Sequence, residues 1–103
     1  MKNTTDNEAV LIKCERRECE LGTLEYKIHM TPGRMIANYN LELYSISITL
    51  TDENGKESFS EVREIFASYR SAERFLRMLS ENLATPIELI YIVEDELSRG
   101  SEY

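Results

Sequence analysis

Alternating apolar and polar positions predict an antiparallel sheet in the first two thirds of the chain. Two runs, over residues 24–30 and 44–50, repeat at every second position, which is the period of a strand with one buried face. Thr31-Pro32-Gly33 is expected to break the first of these strands. The apolar members are Leu24, Tyr26, Ile28 and Met30, then Tyr44, Ile46, Ile48 and Leu50.

A shorter run over residues 9–15 predicts an earlier strand, with Val10, Ile12 and Cys14 on one face and Leu11 on the other. At the other end of the sheet, Asp52-Glu53-Asn54-Gly55 predicts a tight hairpin, since Asn-Gly tolerates positive φ angles.

The strand that returns from this hairpin contains Phe59 and Val62. They are three positions apart and cannot share one face of a regular strand, so a bulge or a strand end is expected near Ser60-Glu61.

The period then changes to that of helices. One stripe predicts an amphipathic helix, capped by Ser68 or Ser71: Ala72, Phe75, Leu76, Leu79 and Leu83. Its opposite Arg/Glu face is expected to be a solvated surface. A second helix begins at Thr85-Pro86-Ile87-Glu88, with threonine as the N-cap and a capping-box glutamate, and is expected to end at Arg99-Gly100.

Strands followed by two helices predict an α+β fold. We expect an antiparallel β-meander of three to five strands, followed by two carboxy-terminal α-helices packed on one face. The predicted organisation is a disordered tail over residues 1–8, a single domain over 9–98 and a short tail over 99–103.

The charge of the chain argues against nucleic acid as a partner. The 103 residues carry a net charge of −7, whereas phosphate binding needs a field of lysines and arginines. The apolar run at residues 9–12 is too short for a signal peptide or a membrane span. We therefore expect a cytoplasmic protein that binds no membrane, with Cys14 and Cys19 as reduced thiols.

The sequence contains no recognisable catalytic, metal or cofactor motif. His29, the one histidine, falls on the polar face of its predicted strand. The four glycines form no phosphate-binding loop. Glu94, Asp95 and Glu96 are adjacent on a helix, where successive side chains diverge by about 100° and cannot converge on one ion. We predict no catalytic residue, no metal and no cofactor.

The last helix has more apolar residues than one buried face needs. A helical projection places Leu89, Ile90, Val93 and Leu97 on one side. Tyr91 and Ile92 then point away from that stripe. Either they pack against loops and the other helix, or they are exposed for a partner.

Three acids near the end of this helix oppose its macrodipole. Glu94, Asp95 and Glu96 form either a solvated face or an acidic patch that binds a basic partner. With Glu88, Tyr91 and Ile92 they make up the predicted interaction surface.

The carboxy-terminal half also resembles a family of small, uncharacterised proteins from Clostridia-type Firmicutes, a domain of unknown function. The resemblance covers about residues 41–98 and includes the motif Val93-Glu94-Asp95-Glu96-Leu97. It implies a small cytosolic bacterial protein and brings no activity.

The sequence thus predicts a non-catalytic interaction or regulatory module that acts through its last helix, with a protein partner or a second copy in a homodimer. The alternative is a small-ligand-binding domain with a pocket between sheet and helices, and an enzyme of unknown reaction comes third.

Overall fold

A computed structural model describes residues 9–36 and 39–98 of the chain. The tails predicted over residues 1–8 and 99–103, with the Arg99-Gly100 helix end, lie outside these described residues. The elements in chain order are β1 (Val10–Cys19), β2 (Gly22–Ile36), β3 (Tyr39–Thr51), β4 (Glu57–Phe66), α1 (Tyr69–Glu81) and α2 (Pro86–Ser98).

The four strands form one antiparallel sheet in the order β1-β2-β3-β4, and the two helices follow at the carboxy end. The predicted α+β meander is therefore confirmed. The sheet has a helix-covered face and an open face. One core lies between the helix-covered face and the helices. Its buried residues from β2 and β3 belong to the two alternating runs: Leu24, Tyr26, Ile28, Tyr44, Ile46 and Ile48. Neither helix in the described part of the chain is long and apolar enough to cross a membrane.

Strand β1 is longer than the predicted run and includes the charged residues 15–18. A bulge between Leu11 and Lys13 shifts its register against β2. Because one extra residue reverses the alternation, Val10 lies on the helix-covered face and Cys14 on the open face. The prediction that these two residues share a face is wrong.

The register of β1 brings charged side chains under α1. Lys13 Nζ lies 3.4 Å from Glu73 Oε2, and the Ser80 hydroxyl donates a hydrogen bond of 2.7 Å to Glu15 Oε1. The charged face of α1, expected to be only a solvated surface, is thus partly paired with the edge strand.

The break predicted at Thr31-Pro32-Gly33 is wrong, since β2 continues through this segment as a bulge. Thr31 and Arg34 pair with Leu43 and Leu41 of β3, so two residues of β2 oppose one. Pro32 lies beyond the end of the pairing with β1, where its missing N–H leaves no ladder bond unmade.

The predicted Asn-Gly hairpin between β3 and β4 is confirmed. Asp52 Oδ1 accepts hydrogen bonds from the N–H groups of Asn54 and Lys56, both at 2.9 Å. Gly55 has a φ of 83°, the left-handed conformation that glycine adopts without steric penalty.

Strand β4 does contain a bulge, but further along than Ser60-Glu61. The pairs Tyr44–Phe66 and Ile46–Val62 place three residues of β4 opposite one of β3. The Ser45 hydroxyl accepts a hydrogen bond of 2.8 Å from the N–H of Glu64 within this bulge. Phe59 needs no bulge, since it lies on the open face and is exposed.

Helix α1 begins as predicted, with the Ser68 hydroxyl accepting a hydrogen bond of 3.3 Å from the N–H of Ser71. The predicted stripe is buried as far as Leu79. Leu83 is the exception, because the helix ends at Glu81 and Leu83 adopts a φ of 52°. It occupies the left-handed position of a Schellman cap, where glycine is usual, and its side chain is 42% exposed.

Candidate interaction surface

The start of α2 contains one half of the predicted capping box, the bond from the Glu88 carboxylate back to the N–H of Thr85. Glu88 Oε1 accepts hydrogen bonds from the N–H of Thr85 at 2.9 Å and from its hydroxyl at 3.2 Å. Pro86 occupies the first helical position, where its missing N–H is not needed. This geometry holds one oxygen of Glu88 against the connector between the two helices.

The buried side of α2 differs from the predicted stripe. Leu89 and Val93 are buried in the core, but Ile90 is 46% and Leu97 62% exposed, so the prediction for these last two is wrong. Ile92 is half-buried and packs against the core. Compared with the predicted stripe, α2 is therefore rotated about its axis, so that Leu89 and Ile92 face the core and Ile90 does not.

This rotation exposes a largely apolar side of the helix to solvent. We call this side the α2 outer face, and it consists of Ile87, Ile90, Tyr91 and Glu94. Ile87 is 77% exposed and Tyr91 67% exposed. Ile87 is not among the predicted surface residues. Its spacing of three from Ile90 and four from Tyr91 is the pattern of a second helical stripe, and that pattern could have identified it.

Beside the outer face lies an open groove of about 400 Å³. Four of the six predicted surface residues line it, namely Glu88, Tyr91, Ile92 and Asp95. Asn82 and Ala84, from the connector between the helices, complete the lining. These two residues are not predictable from the sequence pattern, because their contribution depends on how the chain turns after α1.

The floor of the groove is attached to the sheet. Ala84 is buried, and its carbonyl oxygen accepts a hydrogen bond of 2.8 Å from the phenol hydroxyl of Tyr26. Burial raises the pKa of this phenol to about 12, so it stays a hydrogen-bond donor at alkaline pH values where an exposed tyrosine ionises.

The three consecutive acids do not form one patch. Asp95 lines the groove, Glu94 lies on the outer face, and Glu96 is half-buried towards the other side of the helix. The structure therefore brings Glu88, Tyr91, Ile92 and Asp95 together in the groove and separates Glu94 and Glu96 from them.

A second groove, of about 370 Å³, lies on the other side of the same connector. Leu21, from the β1–β2 turn, and Leu83 line it, together with Cys19, Glu20 and Thr85. Both leucines are exposed. Apolar surface thus flanks the helix connector on two sides.

The histidine and the two cysteines, which are the other groups suited to acid–base or metal chemistry, lie on the sheet. Among the described residues, no three His, Cys, Asp or Glu side chains are close enough to hold a metal ion. His29 lies opposite Ser45 on the open face, as expected from the alternation in its strand. It is half-buried, and its Nδ1 forms no hydrogen bond within the described part of the chain. Cys14 and Cys19 are free thiols.

Comparison with known proteins gives one match. Residues 6–99 match a family model described as Family of unknown function (DUF6514). The resemblance noted from the sequence covered only the carboxy-terminal half, whereas this match also includes the first strands. No curated protein and no solved structure matches the chain.

Proposed function

The chain belongs to this family of unknown function, and we propose from the geometry that it is a non-catalytic module that binds another protein through α2. The observation that carries the proposal is the α2 outer face. Three large apolar side chains, Ile87, Ile90 and Tyr91, share one side of a helix and are exposed. A helix at the surface of a domain usually has a polar outer side, and contiguous apolar patches mark interaction sites.

The groove beside this face supports the same function. Tyr91 borders both the outer face and the groove, and the carboxylates of Glu88 and Asp95 surround the apolar lining. An aromatic anchor beside a pocket with a polar rim is the usual arrangement of an interface hot spot. Of the two acids that line the groove, Glu88 has one carboxylate oxygen held by Thr85, and His29 lies on the far face of the sheet, which favours binding over proton-transfer chemistry.

The groove also favours a second candidate function, the binding of a small apolar ligand. Its volume of about 400 Å³ lies within the range of small-molecule sites. This groove lies between α2 and the helix connector, not between sheet and helices as the sequence analysis suggested. A thermal shift with a small apolar compound that Tyr91→Ala abolishes would support this candidate, and the absence of any shift at high ligand concentration would exclude it.

Photocross-linking in cells tests the protein-binding function. A benzophenone side chain replaces Ile87, and the matched control replaces Phe59, which is 63% exposed on the open face. We expect a discrete protein adduct from position 87 and none from position 59. Tyr91→Ala in the position-87 protein should abolish the adduct. Equal adducts from both positions, or none from position 87, would refute the function.

A further inference from the structure

The ends of the two helices carry charges of the unfavourable sign. Helix α1 has no acid in its first turn, where Arg70 lies, with Arg74 one turn later. Helix α2 has no base in its last turn, and Glu94 lies in its last two turns. Cations are unfavourable at a helix N-terminus and anions at a C-terminus. Folding of the single chain therefore does not explain either placement.

These charges are also available for a partner. Arg70, Arg74 and Glu94 are exposed, and none of the three forms an ion pair or hydrogen bond within residues 9–36 and 39–98. By contrast, the neighbouring Arg77 lies 3.9 Å from Glu73 on α1 itself. The two cations on one helix and the anion on the other have complementary charges, yet they do not pair with each other among the residues that the structure describes.

The two helices run in roughly opposite directions. Helix α1 starts after Phe66, at the end of β4, and reaches Glu15 through Ser80. Thr85 lies beside Leu21 at the β1–β2 turn, and Leu89 and Val93 of α2 remain buried over the sheet. Helix α2 contacts β3 and β4, so it leads from the β1–β2 turn back towards β4, and its C-terminus lies on the side of the molecule where α1 starts.

From this arrangement we infer that the α2 outer face binds a second copy of the chain, in a two-fold dimer in which α2 lies antiparallel on the partner's α1. The inference rests on the proposed function and names its partner. The two-fold axis runs parallel to the helices, between the helix pair of one copy and the helix pair of the other. Rotation about this axis places α1 of one copy against α2 of its partner, and both helices keep their directions. Each contact then occurs twice.

This pairing matches both the charges and the apolar surface. The arginines in the first half of α1 face the second half of the partner's α2, so the partner's Glu94 lies near Arg70 and Arg74. The N-terminal end of one helix dipole meets the C-terminal end of another. Tyr91 lies under the aliphatic stem of the partner's Arg74, where cation–π contact with the tyrosine ring is available. Ile87, near the start of α2, faces the second half of the partner's α1.

Sedimentation velocity of the full chain, from micromolar to millimolar concentration, tests the dimer. We expect the wild type to dimerise, and Arg74→Glu and Glu94→Arg each to weaken the dimer by about tenfold or more, because two attractive pairs become repulsive. The two changes combined in one chain should restore dimerisation, since the charges are then exchanged on both helices. Lys56→Glu, in the β3–β4 turn, is the control and should leave dimerisation unchanged.

Three results would overturn the inference: a monomeric wild type, single variants that dimerise like wild type, or a double variant that stays monomeric. Thermal unfolding establishes that each variant is folded, and these side chains are all at the surface. A monomeric wild type together with a foreign adduct from position 87 would refute the dimer and leave the proposed function standing. A monomeric wild type with no adduct would refute both.

Discussion

Tyr26 and Ala84, 58 residues apart, are joined by a hydrogen bond of 2.8 Å from the phenol hydroxyl to the carbonyl oxygen. Both residues are buried. The bond connects the middle of β2 to the connector between the helices, immediately before the capping box of α2. It therefore positions the start of α2 and the floor of the groove relative to the sheet.

Tyr26→Phe should lower the free energy of unfolding by about 1–3 kcal/mol, because the Ala84 carbonyl oxygen would be buried without a partner. Urea unfolding measures this loss. Tyr69→Phe is the matched control, since the Tyr69 ring contacts Tyr44 and its hydroxyl forms no hydrogen bond among the described residues. We expect the control to change stability by less than about 0.5 kcal/mol. Equal losses would show that the Tyr26 bond contributes nothing specific.

The same phenol predicts how stability depends on alkaline pH. Burial raises the pKa of Tyr26 from 10.0 to about 12, so between these values the unfolded chain releases a proton that the folded chain retains. The contribution of Tyr26 is fully present below pH 10 and is lost as the pH rises towards 12, by about 3 kcal/mol at most. Urea unfolding at a series of alkaline pH values should show this decline. Tyr26→Phe should flatten it, and parallel curves for the two proteins would contradict the prediction.

Two glycines with positive φ should respond differently to alanine. At Gly22 (φ 139°) a Cβ atom would clash with the Thr51 carbonyl oxygen, whereas at Gly55 (φ 83°) no atom lies within 4 Å of the Cβ position. Gly55→Ala should cost about 1 kcal/mol of conformational strain. Gly22→Ala should cost more than about 2 kcal/mol, because the backbone must also move. Thermal unfolding compares them, and similar losses would mean that β1–β2 turn geometry tolerates the clash.

The sequence predicts those parts of the fold in which local chemistry has one solution. The alternation around Tyr26 and Ile46 identifies the buried faces of their strands. Asn54-Gly55 identifies a turn, and Thr85-Pro86 identifies the start of a helix. The bulges in β1 and β4 could not be placed, because they depend on how neighbouring strands pair. At the candidate site, the apolar residues from Ile87 to Val93 point in almost every direction around α2. Periodicity alone therefore could not decide that Leu89 is buried and Ile87 exposed.

Leu83 lies at the left-handed position of the α1 cap, with a φ of 52°. A leucine there has backbone strain that glycine avoids, while its exposed side chain adds little to the core. Leu83→Gly should therefore leave the free energy of unfolding unchanged or raise it by up to about 1 kcal/mol, as measured by urea unfolding. Leu79→Gly, at a fully buried position in α1, is the contrasting variant and should be strongly destabilising. A marked loss from Leu83→Gly would mean that the second groove contributes to folding.

Substitutions around α2 separate folding from binding. Leu89 is fully buried, Ile92 half-buried and Ile87 exposed. Leu89→Ala should lower the free energy of unfolding by about 2–5 kcal/mol, and Ile87→Ala by less than about 0.5 kcal/mol, with Ile92→Ala between them. Urea unfolding of monomeric protein at low concentration gives all three values. The apolar outer face would be explained by folding if Ile87→Ala proved as destabilising as Leu89→Ala. A negligible loss of stability in Ile87→Ala would show that the fold does not need this exposed side chain, as expected of a residue that acts in an interface.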